Sequence, residues 1–151
     1  MRPFDILELL IYDSYMEILL DASAIITVIA DEPKAQIVIA CTQNATIVSP
    51  NIVACEIANA LTRMMRKNII ISEEQMTNFI KIYKLIPMKL VDIDLEKALK
   101  IAWLYKTYAY DAFYLEVAKR LQLPLLTFDS GMAKIGKELG LNVLGGQNAD
   151  R

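Results

Sequence analysis

The feature that most constrains the fold is a regular alternation of short apolar segments with longer stretches of helical pattern. Strands that are apolar throughout are buried on both faces, which is typical of a parallel sheet covered by helices. The sequence therefore predicts an α/β domain with helices on both sides of the sheet. The predicted strands are residues 17–21, 46–49, 89–91, 125–128 and 142–144.

Residues typical of helix ends support this assignment. Ser49 followed by Pro50 predicts a helix start, with a hydroxyl at the N-cap and proline in the first turn. Residues 72–75 have the pattern of a capping box, and Gly140 suits the position that follows a helix end. The predicted helices are residues 22–29, 34–41, 50–67, 73–85, 95–105, 110–121 and 131–139.

The composition excludes several classes of protein. With 151 residues, 55% of them hydrophobic, the chain fits one domain with a buried core, and global disorder is excluded. Histidine is absent, which removes Ser-His-Asp triads, Cys-His pairs and histidine-ligated zinc. Because Cys41 and Cys55 form no CxxC motif, neither a disulfide scaffold nor a structural zinc site is expected. Any chemistry must therefore use carboxylates, hydroxyls, lysines or a hard cation.

The charge is unevenly distributed along the chain. The net charge is −2, but residues 63–106 carry 9 basic and 5 acidic side chains, a local excess of +4. This balance argues against tight duplex binding and leaves room for a local phosphate-binding face. No segment is apolar enough to span a membrane, and the acidic N-terminal stretch does not fit a signal peptide, so a cytoplasmic protein is expected. Residues 1–15 are predicted to be an N-terminal extension to a domain at residues 16–151.

Two aspartates follow predicted strands directly. Asp21 ends the first strand and Asp129 follows the fourth, at the edge of the sheet where open α/β domains bind ligands. Strand-ending aspartates also start turns and cap helices, so either residue alone has a purely structural interpretation.

Two further acidic residues lie on apolar helix faces. Glu56 is the single charge in its stripe, where a carboxylate is costly unless it lies at the edge, pairs with a cation such as Arg63 or binds a metal. Asp111 lies one turn before Leu115 on the stripe of a later helix, although the helix dipole also favours aspartate in a first turn. The Glu56 stripe consists of Ile52, Val53, Ile57, Ala60, Leu61 and Met64.

Together these carboxylates can converge at one edge of the sheet. Carboxylates at close range repel each other, so some stay protonated unless a counter-charge is present. A donor set made only of oxygen selects a hard divalent cation, Mg²⁺ or Mn²⁺, which can activate water for hydrolysis of a phosphodiester. The predicted catalytic and metal-binding residues are Asp21, Glu56, Asp111 and Asp129.

Three segments within residues 17–145 follow one another in this order: LLDASAII, SPNIVACEIANAL and YAYDAFYLEVAKRLQLPLLTFDSGMAK. Together they resemble the PIN domain, and especially the small prokaryotic ribonucleases of the VapC toxin group. The resemblance implies a three-layer α/β/α sandwich with a five-stranded parallel sheet, and a metal-dependent nuclease that acts on single-stranded or looped RNA. It matches the four acids to the family's acidic positions and assigns Ser23 and Thr127 as hydroxyls that support the metal site.

The resemblance also implies partners, namely an RNA substrate, a second copy of the chain in a homodimer, and a cognate antitoxin that inserts a peptide near the acids. Basic residues at a helix end can meet phosphates or be simply solvated. Tyrosines around Asp111 can stack on unpaired bases, or can be core or dimer contacts. The candidate RNA contacts are Arg63, Arg66, Lys67, Tyr108 and Tyr110, and Tyr105 and Tyr114 belong to the same group of tyrosines.

Other functions fit the sequence less well. A phosphotransferase of the dehalogenase type needs D-x-D after the first strand, and Ser23 stands at the second position here. A dinucleotide-binding domain needs a glycine-rich first turn, which DASAII lacks. The remaining alternative is a non-catalytic PIN-like module that binds RNA or a protein, and metal-dependent cleavage would distinguish the two.

Overall fold

The computed structural model describes residues 16–145, so the predicted N-terminal extension lies outside the described residues. The strands are β1 (Glu17–Leu20), β2 (Thr46–Pro50), β3 (Met88–Val91), β4 (Leu125–Leu126) and β5 (Val143–Leu144). They form one parallel sheet in the order β3-β2-β1-β4-β5.

The helices within residues 16–145 connect these strands and cover the sheet. None of them combines the length and apolar character needed to cross a membrane. They are α1 (Ala22–Ile29), α2 (Ala35–Thr42), α3 (Val53–Arg66), α4 (Glu73–Leu85), α5 (Leu95–Tyr105), α6 (Ala109–Leu121) and α7 (Ser130–Glu138).

The sheet is buried on both faces. Along β1, Ile18 and Leu20 belong to a core that α1 to α4 cover, whereas Leu19 points to a second core covered by α5 to α7. Successive side chains of a strand point to opposite faces, so an uninterrupted apolar strand supplies both cores. The predicted three-layer α/β/α sandwich with a five-stranded parallel sheet is therefore confirmed.

The prediction that Ser49 and Pro50 start a helix is wrong. Both residues lie in β2, where Pro50 pairs with Val91 of β3 and the buried Ser49 hydroxyl donates a 3.0 Å hydrogen bond to the Leu20 carbonyl. Helix α3 begins at Val53 without a side-chain cap. Sheet pairing decides this boundary, because a proline at the end of a strand needs no N–H for the ladder.

The other predicted helix ends are present. The Ser72 hydroxyl accepts a 3.1 Å hydrogen bond from the Gln75 backbone N–H, as expected for a capping box. The Gln75 side chain accepts from the N–H of Ile71, one residue before the expected position. Gly140 follows α7 with φ +79°, the left-handed conformation that glycine adopts without strain.

The strand order fixes the location of the site. From β1 the chain moves to β2 and β3 on one side, and then crosses to β4 and β5 on the other side. Ligands of open α/β sheets bind beyond the carboxyl ends of the strands at such a switch in direction. The residues that follow β1 and β4 therefore face the same crevice.

Candidate active site

A cleft of about 410 Å³ opens at the carboxyl ends of β1 and β4. Asp21, at the end of β1, and Asp129, at the start of α7, line the cleft. Glu56 on α3 and Asp111 on α6 line it as well, so four separate parts of the chain contribute one acid each. The structure thus brings together all of the acids that were predicted to form the site.

Asp21 is the most buried of these acids, with 2% of its surface exposed. Its carboxylate accepts hydrogen bonds from the Ala24 backbone N–H at 2.9 Å and from the Thr127 hydroxyl at 2.6 Å. The Ser23 hydroxyl lies 2.7 and 2.8 Å from the two carboxylate oxygens but has one proton to donate. Three protons thus serve four lone pairs, which leaves one lone pair for a further ligand.

Ser23 and Thr127 connect the two sheet-edge loops. The Thr127 hydroxyl accepts a 3.0 Å hydrogen bond from the Asp129 backbone N–H while it donates to Asp21. The Ser23 hydroxyl accepts a weaker bond, 3.3 Å long, from the Phe128 N–H. Both hydroxyls therefore fix the position of Asp21, as expected of supporting residues, and their role at a metal stays a prediction.

The aspartates at the strand ends also cap helices, as their structural interpretation predicted. Asp21 is the N-cap of α1, and Asp129 is the N-cap of α7, where its carboxylate accepts a 2.7 Å hydrogen bond from the Met132 N–H. A capping aspartate uses only part of its acceptor capacity, so capping does not compete with a place in the cleft.

Glu56 lies in the first turn of α3 and is half-buried. Among residues 16–145 it forms no ion pair, so the alternative of a salt bridge to Arg63 is not realised. Burial raises the pKa of Glu56, and the negative charges of Asp21 and Asp111 raise it further. The positive charge of Arg63 acts in the opposite direction, more weakly than these neighbours.

Asp111 lies in the first turn of α6, where its carboxylate accepts a 3.2 Å hydrogen bond from the Thr107 hydroxyl. Burial raises the pKa of Asp111, and the Asp129 charge adds to this effect. Burial also raises the pKa of Asp21, against the opposing effect of its hydrogen bonds. The pKa values of three carboxyl groups of the cleft are therefore raised, so a bound cation would relieve an existing electrostatic cost.

The side chains around the cleft fit a hydrated ion better than a closed cage. Among residues 16–145, no three acidic or cysteine side chains already surround a single point. Mg²⁺ keeps several of its waters and binds proteins through one or two carboxylates together with substrate phosphates. The carboxylate and hydroxyl donors of the cleft suit such an ion.

Tyr114, on α6, has no exposed surface. Its hydroxyl lies near the Glu56 carboxylate but forms no hydrogen bond with any of the described residues. A buried hydroxyl without a partner costs about 1–3 kcal/mol. Burial, with the nearby Glu56 charge, raises the pKa of the Tyr114 phenol, which therefore keeps its proton.

Comparison with known proteins identifies the family. Residues 18–138 match the family model of the PIN domain, which spans both strand-end aspartates and both helical acids. The chain belongs to the PIN domain family. This confirms the resemblance that the sequence motifs indicated.

Two solved structures are similar to this PIN domain. PAE2754 from Pyrobaculum aerophilum aligns with a TM-score of 0.65 and 24% identity, over 85% of this chain and 90% of that chain. VapBC2 from Rickettsia felis, bound to a DNA fragment from their promoter, aligns with a TM-score of 0.57 and 15% identity, over 85% of this chain and 97% of the other. No curated protein sequence gives a significant match. These likenesses support the PIN fold.

The predicted RNA contacts of the PIN domain divide into two groups. Arg63 lines the cleft, together with Asn59 from the same helix. Arg66 and Lys67, at the end of α3, are exposed and lie outside the cleft lining. The remaining tyrosines also lie outside the lining: Tyr108 is 83% exposed, Tyr110 is 48% exposed, and Tyr105 packs against the core.

Several residues in the cleft or next to it were not among the predicted site residues. Thr107 supports Asp111, and its only signal is a hydroxyl four positions before an acid at a helix start. Glu32 lines the cleft from the turn after α1 and accepts a 3.3 Å hydrogen bond from the Thr27 hydroxyl. Phe128 also lines it, with the Lys34 ammonium 5.1 Å from its ring centre. An acidic residue in a polar turn does not differ from its neighbours, so the sequence could not identify Glu32 as a cleft residue.

Proposed function

We propose that this PIN domain is a Mg²⁺- or Mn²⁺-dependent ribonuclease and the toxin of a toxin–antitoxin pair. The observation that carries the proposal is the convergence of Asp21, Glu56, Asp111 and Asp129 in one open cleft. Membership of the PIN family supports a nuclease, and similarity to a VapBC complex supports a toxin with an antitoxin partner.

In this proposal the four carboxylates together position one or two hydrated divalent cations, each bound directly by one or two of them. Asp21 contributes the lone pair that its hydrogen bonds leave free, and Ser23 and Thr127 keep its carboxylate in place. When bound, the ion neutralises charge on the scissile phosphate and activates a water for attack. A histidine base is then unnecessary, which agrees with the absence of histidine from the chain.

Residues on one face of α3 would bind the substrate. Glu56, Asn59 and Arg63 are three to four positions apart and all line the cleft. In the proposal, Arg63 contacts a phosphate next to the cleavage site and Asn59 donates to a neighbouring sugar or phosphate oxygen. Arg66, Lys67, Tyr108 and Tyr110 are candidates for contacts further along a single strand.

Cleavage of a mixed pool of structured RNAs tests the nuclease. Wild-type protein is expected to cleave with Mn²⁺ or Mg²⁺ and to stop with EDTA. Asp21→Asn removes a cleft charge and is expected to reduce the rate about 100-fold or more. The matched control is Glu74→Gln, which neutralises an exposed acid on α4 and should cleave like wild type. Equal cleavage by Asp21→Asn and wild type would contradict the proposed site.

Expression in bacterial cells tests the toxin. We expect growth arrest with wild type, normal growth with Asp21→Asn at equal protein level, and rescue when the cognate antitoxin is co-expressed. The expected homodimer is tested by light scattering, as a particle of twice 17.0 kDa. Normal growth of cells that accumulate the wild-type protein would contradict a toxin.

The alternative function is a non-catalytic PIN module that binds RNA or a protein. The exposed tyrosines favour it as much as they favour a nuclease, because stacking on bases needs no catalysis. Such a module would bind RNA equally well with EDTA and show no turnover with any metal. Retained RNA binding without cleavage, in a sample that does bind Mn²⁺, would favour this alternative.

A further inference from the structure

We infer that Tyr114 is a positioning residue for Glu56, and that its hydroxyl donates a hydrogen bond to the Glu56 carboxylate when a divalent cation occupies the cleft. The inference rests on the proposed function and assigns a role to a residue that touches neither metal nor RNA.

The first observation is the isolation of the Tyr114 hydroxyl. The side chain is 0% exposed, and the hydroxyl is the one buried side-chain polar atom among residues 16–145 that has no hydrogen-bond partner. Buried polar groups are almost always hydrogen-bonded, so an exception calls for an explanation. The other buried polar side chains of this region all have partners: Asp21, Thr27, Ser49, Glu116 and Thr127.

The second observation is the place of this hydroxyl. Tyr114 follows Asp111 by three positions on α6, so both side chains lie on one face of the helix. Asp111 lines the cleft, whereas Tyr114 is fully buried with its hydroxyl near the Glu56 carboxylate. The other charged group close to the hydroxyl is Asp21.

The chemistry of Tyr114 and Glu56 explains why the Tyr114 hydroxyl has no partner in the absence of a bound ion. A carboxylate has two oxygens, and a donor fixed on one of them orients the other toward a ligand. Groups that hold metal ligands in this way are typically worth about 10- to 100-fold in metal affinity. In the inferred metal-bound state, one Glu56 oxygen faces the ion and the other accepts the hydrogen bond from Tyr114.

The variant Tyr114→Phe tests this inference, because it keeps the ring and removes only the hydroxyl. The full chain is titrated with Mn²⁺ by calorimetry in the absence of RNA, and its thermal midpoint is measured in EDTA. We expect Mn²⁺ affinity to fall about tenfold. The midpoint in EDTA should stay equal or rise, because the hydroxyl makes no hydrogen bond without the ion. A merely structural tyrosine would show the opposite pattern, a lower midpoint with unchanged affinity.

The matched control is Tyr83→Phe on α4, where the side chain is partly buried and lies outside the cleft. It should change neither quantity. A double-mutant cycle adds Glu56→Ala, and the effect of Tyr114→Phe on Mn²⁺ affinity should disappear in that background. A tenfold loss that persists without Glu56 would overturn the inference, as would wild-type affinity in Tyr114→Phe.

Failure of the inference can be distinguished from failure of the proposed function. If wild type binds Mn²⁺, Asp21→Asn abolishes binding and Tyr114→Phe binds like wild type, only the role of Tyr114 is overturned. If wild type binds no Mn²⁺, or Asp21→Asn binds equally well, the proposed metal site is overturned and the role of Tyr114 with it.

Discussion

Thr127 joins two acids of the cleft through one hydroxyl, which donates to Asp21 and accepts from the Asp129 backbone. It is fully buried, so water cannot replace either hydrogen bond. The position of Asp21 therefore depends on a neutral side chain 106 residues away in the sequence.

Thr127→Val is expected to lower the free energy of unfolding by about 1–3 kcal/mol, because the buried Asp21 carboxylate loses a donor and the Asp129 N–H loses its acceptor. Urea denaturation measures the change. Thr127→Ser keeps the hydroxyl and should recover most of the loss. A valine variant as stable as wild type would contradict the importance of this bridge.

Asp111→Asn is expected to stabilise the metal-free protein, and more so at higher pH. The pKa of Asp111 is raised in the fold by burial and by the Asp129 charge. The folded state thus holds the proton more tightly than the unfolded state, and the ionised carboxylate costs stability as pH rises above its ordinary pKa of 3.8. Asparagine does not ionise and removes this cost.

Thermal midpoints of wild type and Asp111→Asn, measured in EDTA from about pH 4 to about pH 8, test this sign. The advantage of the variant should be smallest at the acidic end and should grow as pH passes through the raised pKa. Saturating Mn²⁺ should reverse the order, because the ion favours the carboxylate. An advantage that shrinks as pH rises would show that Asp111 is stabilised, not strained, in the fold.

Among single residues, a site residue could be predicted from the sequence where its side chain differs from the pattern around it. Glu56 and Asp111 could be predicted because each places a charge on an apolar stripe. Tyr114 could not be assigned, because an aromatic residue on a core face looks like ordinary packing whether or not its hydroxyl has a partner. Thr107 contributes only through a neighbour, and no sequence pattern distinguishes it.

At the scale of elements, α6 serves both the site and the stability of the domain. Its first turn supplies Asp111, and its later part carries Glu116, whose side chain is 1% exposed and paired with Arg120. Glu116 also accepts a 3.1 Å hydrogen bond from the Asp94 N–H at the start of α5. Arg120 donates to the Asp92 carbonyl, so this pair ties α6 to the beginning of α5.

Arg120→Ala is expected to destabilise the protein by about 3 kcal/mol, because it leaves Glu116 buried without its cation. Urea denaturation should show this loss, whereas Lys119→Ala, an exposed neighbour, should change stability by less than about 0.5 kcal/mol. Mn²⁺ affinity should be unchanged, because neither residue lines the cleft. Equal stability of the two variants would contradict the pairing.

Element boundaries were predictable where local residues decide them. Ser72 and Gly140 mark helix ends by their own chemistry. The Ser49-Pro50 pair has the same local signature, but pairing with β3 places it in a strand. Strand β4 was expected at residues 125–128 and ends at Leu126. An element boundary that depends on pairing with a distant part of the chain cannot be predicted from the residues around it.

At the scale of the whole molecule, the cleft depends on the order of the strands. The short apolar segments predicted a parallel sheet, but such segments carry no information about which strand neighbours which. The family resemblance supplied the five-stranded architecture, and the structure adds the order β3-β2-β1-β4-β5. This order places the ends of β1 and β4 side by side.

Binding of Mn²⁺ should stabilise the whole domain, because an ion held by residues from four parts of the chain binds the folded state alone. At a Mn²⁺ concentration 100 times its dissociation constant, the gain is about 2.7 kcal/mol, or a rise of about 5–10 °C in thermal midpoint. Asp21→Asn should show no rise at the same concentration. An equal rise in Asp21→Asn would mean that the ion binds elsewhere.

The hydrogen bond between Thr127 and Asp21 has a consequence for the synthesis of the chain on the ribosome. Its two residues are 106 positions apart, so a ribosome adds the second about 5–20 s after the first. Throughout that interval the nascent chain holds Asp21 without its partner and lacks Asp129 altogether. The cleft can therefore form only when translation of the domain is nearly finished.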